Sequence, residues 1–237
     1  MIHIIKYLAN MGVASRRKVE RLIREGQVEV NGRQVIDPAL TINPEKDKIL
    51  VGGKRVEVGQ RIVHIMLNKP KGIISTASDE KGRKTVLDLV KVSERVYPVG
   101  RLDEDSTGLI IMTNDGELAN FITHPRYGVP KTYQAAIRGK VTEERLDKLR
   151  MGIKLKEGLT APAEVEVINP DPKQPLLEIT IHEGWNRQIR RMCGEVGLTV
   201  VALKRVAIGP LQLGNLKWGQ WRYLTEEEVG KLKQKPL

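Results

Sequence analysis

The chain has 237 residues, with 40 Lys plus Arg against 29 Asp plus Glu and a formal net charge of +11. That length fits one large domain or two unequal ones with a core that needs no staples, and the charge points to an anionic partner, nucleic acid before membrane. No apolar run nears 18 residues, the N-terminus lacks the pattern of a signal peptide, and a single cysteine, Cys193, excludes a disulfide framework, so a cytoplasmic protein with no membrane association is expected.

Taken in chain order, Ile5, Leu8 and Ala9 keep helical spacing and Gly12 closes that helix. Ser15 is the expected N-cap of a second helix, whose stripe is Val19, Leu22 and Ile23 and whose stop is Gly26. QVEV and RQVI flank Asn31-Gly32, the preferred pair for a type I′ hairpin turn. KILVGGKRV follows as an extended piece ending near Gly59. Residues 1–24 hold Lys6, Arg16, Arg17, Lys18, Arg21 and Arg24 against Glu20 alone. Arg16, Arg17 and Lys18 open the second helix, where free N–H groups also attract phosphate. A solvated helix face accounts for the charge run by itself; its place in a compact helix-helix-hairpin unit tilts the balance toward an RNA-binding face.

From residue 62 onward the pattern is that of one strand-rich α+β domain. VHIML (63–67), LIIMT (109–113), TYQAAIRG (132–139), AEVEVI (163–168) and LLEITI (176–181) are predicted strands. Helices are predicted at 116–123, 142–151 and 186–196, and Thr225 with Glu228 forms a capping box for a last one. NPDPKQP (169–175) is a loop between strands.

His3, His64, His124, His182 and Cys193 show no zinc-ligand spacing, and there is no phosphate-cradling glycine loop or nucleophile elbow, so neither metal nor cofactor is expected. In YPVGRLDEDSTGLIIMTNDG (97–116), Asp103, Glu104 and Asp105 crowd beside an apolar strand. Such a loop at the mouth of a core is a common place for catalytic residues, and a plain acidic turn fits the pattern too. In HEGWNRQIRRMC (182–193), Asn186 is the expected cap, and Ile189, Met192, Cys193 and Val196 form a core stripe. Cys193 is thereby a buried small hydrophobe rather than a nucleophile. Arg187, Arg190 and Arg191 lie off the stripe, free to hold a carboxylate or a phosphate or simply to be solvated. Residues 184–222 carry seven Lys or Arg against Glu195 alone. LNKPKGIIST (67–76) is a basic turn with Lys69 and Lys71, open to a phosphate or merely a hairpin. PKTYQ (130–134) puts Tyr133 at a strand start, as a core packer or as a ring that stacks on a base.

Together these segments resemble the bacterial ribosomal RNA pseudouridine synthases of the subfamily founded by the small-subunit enzyme, which also holds large-subunit enzymes. GRLDEDSTGL (100–109) followed by RQIRRM (187–192) is the specific signature, and KYLANMGVASRRKVERLIREGQVEVNG strengthens it. The resemblance implies an RNA-binding domain over 1–60, of the kind named after small-subunit ribosomal protein four. It implies a catalytic domain over 62–237, with a mixed, mainly antiparallel sheet flanked by helices. The implied reaction breaks the N1–C1′ bond of a uridine within RNA, turns the base and rejoins it through C5, without cofactor or metal. On this resemblance Asp103 is the essential aspartate, acting by attack at C6 or by elimination at the sugar. Tyr133 packs against the uracil, Arg190 pairs with the aspartate, and Arg101 enters the space the flipped nucleotide leaves. Arg16, Arg17, Lys18, Arg21, Lys69, Lys71, Arg101, Arg187 and Arg191 are the expected RNA contacts. The implied substrate is ribosomal RNA, large-subunit before small-subunit, acted on by a monomer. Two other classes compete: a non-catalytic RNA-binding assembly protein, and a glycoside hydrolase using Asp103 and Asp105 as its carboxylate pair.

Overall fold

The computed structural model describes residues 1–56, 61–171 and 173–234. The expected end of the extended piece near Gly59, the last residues of the domain expected over 1–60, Pro172 of the predicted loop and the last three residues lie outside the described residues. The chain packs as two compact units. One is Met1–Val63 with Val92–Arg95 and Asn114–Gly116; the other is His64–Lys91, Val96–Thr113 and Glu117–Leu237. No described helix is long and apolar enough to cross a membrane.

The first unit runs β1 (Ile2–His3), α1 (Ile4–Asn10), α2 (Arg16–Arg24), β2 (Val28–Val30), β3 (Arg33–Val35), β4 (Thr41–Ile42), β5 (Ile49–Val51) and β6 (Lys54–Arg55). Ser15 caps α2 by accepting the Lys18 N–H at 3.3 Å. Asn31 and Gly32 take φ of 53° and 76°, the two left-handed residues a type I′ turn requires. KILVGGKRV is not one extended piece: Gly52-Gly53 turns it back, so β5 pairs with β6 as a second hairpin. Ile4, Leu8, Val19, Ile23, Val28 and Ile42 are almost wholly buried between helices and strands, each stabilising the unit by about 1.5–3 kcal/mol. Arg16, Arg17, Lys18 and Arg21 stay exposed on α2.

The second unit carries β7 (His64–Lys69), α3 (Val86–Leu89), β8 (Tyr97–Val99), β9 (Thr107–Thr113), α4 (Gly116–Thr123), β10 (Lys131–Arg138), α5 (Glu143–Met151), β11 (Lys154–Leu155) and β12 (Gly158–Leu159). β13 (Glu164–Asn169), β14 (Leu176–Ile181), α6 (Gln188–Glu195), β15 (Thr199–Ile208), β16 (Leu211–Gln212), β17 (Trp221–Tyr223) and α7 (Glu226–Lys233) follow. The main sheet has the order β13-β14-β10-β15-β9-β7-β17, with β16 beside β15 and β8 beside β9. β15 and β9 pair in parallel, and the other pairs are antiparallel, giving the mixed, mainly antiparallel α+β sheet expected. β7 and β9 are buried on both faces, which is why they read as continuous apolar runs. In β10 and β14 only alternate residues are buried: Tyr133, Ala135 and Ile137; Leu177, Ile179 and Ile181. Thr225 and Glu228 form the expected capping box of α7. α6 starts later than expected: Asn186 does not cap it, because Arg187 stands at its start with φ 48° and no side-chain cap bond.

Candidate active site

The segment joining β8 to β9 is clamped from both sides. Ser75 Oγ donates to the Leu102 carbonyl at 2.9 Å and accepts the Leu102 N–H at 3.1 Å. The Ser106 N–H closes a turn on the Asp103 carbonyl at 3.1 Å, and the Gly72 N–H reaches the Glu104 carbonyl at 2.9 Å. Lys69 completes the clamp: its ammonium donates to the Ser106 carbonyl at 2.8 Å and to that of Pro70 at 3.1 Å. Gly108 then takes φ 106° where β9 meets β15, and a Cβ there would stand 2.2 Å from the Arg205 carbonyl oxygen. Only glycine permits both that dihedral and that approach.

The clamp presents Asp103 at the wall of a cavity of about 220 Å³, which Tyr133, Trp185, Arg187 and Arg101 also line. The Asp103 side chain is 30% exposed and lies 3.8 Å from an Arg187 Nη. Asp105 faces the arginines instead. Arg187 binds it through both Nη atoms at 3.3 Å, and Arg190 approaches at 3.1 Å. Partial burial pushes the Asp105 carboxyl up, but the Arg187 hydrogen bond and the charges of Arg190 and Arg187 outweigh it and hold it below the usual carboxylate range. The expected pairing of Arg190 with Asp103 is therefore corrected. Arg190 is tied to Asp105 and to the Val200 carbonyl at 2.9 Å, and Arg187 is the cation beside Asp103. The left-handed backbone of Arg187 marks strain held at this point.

One further expectation changes. Lys69 is fully buried within the clamp, so it positions the loop and does not reach RNA. Burial pushes its ammonium down to about 8, against the opposing pull of Asp105, Glu104 and Asp103 and with some help from Arg205. Arg191 is held by Glu157 in a two-point ion pair at 2.7 and 3.1 Å and does not line the Asp103 cavity. Lys71, Arg101 and Arg187 are exposed. Cys193 is buried as expected, and burial pushes its thiol up to about 12, leaving it inert.

Some residues of the site escape a reading of the sequence. Arg205, 3% exposed, stands opposite Tyr133 in the β10–β15 ladder. It donates to the Leu109 carbonyl at 2.7 Å and to the Tyr133 hydroxyl at 3.5 Å. Gln188 braces the turn that carries Trp185, accepting the Trp185 N–H at 3.0 Å and donating to Glu183 at 2.6 Å. The excess of basic residues over 184–222 was the one trace of Arg205.

The comparisons with known proteins decide what this site belongs to. Residues 63–195 match the RNA pseudouridylate synthase family, and residues 4–47 match the S4 domain. The chain belongs to the RNA pseudouridylate synthase family. The synthase is 46% identical over 233 residues to an uncharacterized RNA pseudouridine synthase of Aquifex aeolicus, covering 98% of this chain and 93% of that one. It is 46% identical over 236 residues to the ribosomal large subunit pseudouridine synthase B of Bacillus subtilis, covering 98% and 96%. A crystal structure of a pseudouridylate synthase superposes with a TM-score of 0.70 at 29% identity, covering 98% of this chain and all of the other. The synthase thus carries an S4 domain ahead of its catalytic fold, in the order the sequence motifs imply.

Proposed function

We propose that this synthase isomerises one specific uridine of large-subunit ribosomal RNA to pseudouridine, with Asp103 as the catalytic aspartate and the target nucleotide flipped from its helix. The observation that carries this reading is the Asp103 carboxylate on the wall of a cavity it shares with Tyr133 and Trp185. Flipping costs a few kcal/mol, and stacking on the Tyr133 ring returns roughly 1–3 kcal/mol. The N1–C1′ bond breaks, the C5–C1′ bond forms, C5 gives up a proton and N1 ends with one. The change balances without oxidant, metal or cofactor. Arg187 stands 3.8 Å from the Asp103 carboxylate, and Arg101, exposed beside the cavity, enters the space the nucleotide vacates. Residues 1–60 form the RNA-binding domain, gripping backbone through Arg16, Arg17, Lys18 and Arg21, while Lys71 and Arg187 add contacts in the catalytic domain (62–237). The large-subunit target is supported by the name of the Bacillus subtilis relative, and the place of action is the cytoplasm.

Chemical mapping of pseudouridine in both ribosomal RNAs, from cells with and without the gene, tests the target. One large-subunit uridine is expected to lose its modification; a change in the small subunit alone would move the target there, and no change would refute the reading. Asp103→Asn is expected to keep RNA affinity within about twofold and to lose at least about 100-fold in turnover, the lower end of what a positioned acid or base contributes. Undiminished turnover would remove Asp103 from the chemistry.

A further inference from the structure

A second cavity, of about 340 Å³, lies beside the first in the same unit. Tyr133, Gly184, Trp185 and Arg101 line both. The rest of its polar wall is cationic or neutral, with Lys131, Arg205, His124 and His182, and Glu183 is its one acid. Glu183 is engaged elsewhere, accepting the Ala161 N–H and a Gln188 Nε2–H at 2.6 Å each. Lys131 donates to the Val129 carbonyl at 2.9 Å, and among the described residues neither Lys131 nor Arg205 forms an ion pair. Arg205 Nη2 is buried without any hydrogen-bond partner. His124 Nδ1 accepts the Arg126 N–H at 3.2 Å, which leaves its Nε2–H as a donor. Buried charges are ordinarily paired, so two cations on a cavity wall whose single carboxylate, Glu183, already holds the Ala161 N–H and Gln188 leave a place for an anion.

We propose that this second cavity binds a phosphodiester of the RNA chain adjoining the flipped uridine, with Lys131 and His124 as donors and Arg205 as the fixed charge behind them. The inference rests on the proposed function, which supplies the RNA. A base held against Tyr133 in the first cavity has its own backbone within one nucleotide of the second. Burial first, and Arg205 second, push the Lys131 ammonium down to about 8 against the weaker opposing pull of Glu183, and an arriving anion adds to that opposing pull. Phosphate suits this wall because Lys131, Arg205 and the His124 Nε2–H are all donors.

The test replaces one phosphodiester at a time by an uncharged methylphosphonate in an RNA fragment carrying the mapped uridine. The readout is affinity for the Asp103→Asn protein, so turnover does not enter. One linkage next to the target is expected to weaken binding about 10-fold more than its neighbours do. Lys131→Gln is expected to erase that difference and Lys131→Arg to keep it. A flat scan, or a Lys131→Gln protein that stays equally sensitive to the linkage, would overturn the subsite. The scan alone needs no Lys131 variant, so a folding defect there cannot mask the answer. A fragment that is modified yet gives a flat scan refutes the subsite only, whereas the absence of any modified uridine refutes the function on which it rests.

Discussion

Asp103 and Asp105 share one loop, and the arginines divide them. Asp105 takes the two-point contact with Arg187 and the approach of Arg190, while Asp103 keeps its carboxylate at the cavity with one distant guanidinium. A carboxylate saturated by two arginines is a poor nucleophile or base, so Asp105 serves as the anchor that orients them. Lys69 anchors the same loop from below, and its burial has a measurable consequence. Below pH 8 it is protonated in both the folded and the unfolded chain, and the desolvation penalty is fully present. Between about 8 and 10.5 the unfolded chain holds a proton the folded one has released, so stability rises with pH across that window. In urea melts the stability of wild type relative to Lys69→Met is expected to grow by about 2 kcal/mol from pH 7.5 to 10, well over half of the roughly 3.4 kcal/mol that the whole shift allows at 1.36 kcal/mol per unit. A difference that stays flat would show that Lys69 keeps its proton throughout.

The parallel contact of β9 with β15 is the junction on which the site depends. Lys204 pairs with Thr107 and Arg205 with Gly108, so one close approach sets the Asp103 loop against the strand that carries Arg205. Gly108→Ala adds a Cβ 2.2 Å from the Arg205 carbonyl oxygen at φ 106°. The strands must part, and the expected loss is about 3 kcal/mol of unfolding free energy, with turnover falling alongside. Wild-type stability of that variant in urea would show the junction to be loose. This junction was not legible in the sequence, whereas the Ser15 cap, the Asn31-Gly32 turn and the Thr225–Glu228 box were, because each is settled within four residues. β15 was missed since its alternation is broken: Val201 and Ala202 are exposed in succession, and Arg205 is buried by pairing with distant strands. The Arg187–Asp103 and Arg190–Asp105 arrangement escaped for a related reason. Spacing put the three arginines off the core stripe, but the left-handed residue at the start of α6, which no local motif announces, decides which of them meets which acid.

The net charge of +11 divides unequally in its effect. Of the seven basic residues over 184–222, Arg205 is buried, Arg187 and Arg190 hold Asp105, Arg191 holds Glu157 and Arg222 holds Glu228. That block is largely internal wiring, with Lys204 and Lys217 left over. On α2, by contrast, Arg16, Arg17 and Lys18 are exposed and form no ion pair among the described residues, and Arg21 has only an open contact of 3.7 Å with Glu25, a kind of surface pair worth about 0–1 kcal/mol. The S4 region is therefore expected to be the main source of phosphate-driven affinity, and its share can be read from salt. Each phosphate neutralised contributes roughly 0.7–0.9 to the slope of log affinity against log salt. Changing Arg16, Arg17, Lys18 and Arg21 together to Gln keeps helix propensity and is expected to lower that slope by about 3. The rate at saturating RNA is expected to stay the same, because the cavity holding Asp103 is untouched, so the loss falls on KM. An unchanged slope would move the RNA-binding face away from α2, and a fall in the saturated rate would mean that this helix does more than hold the RNA.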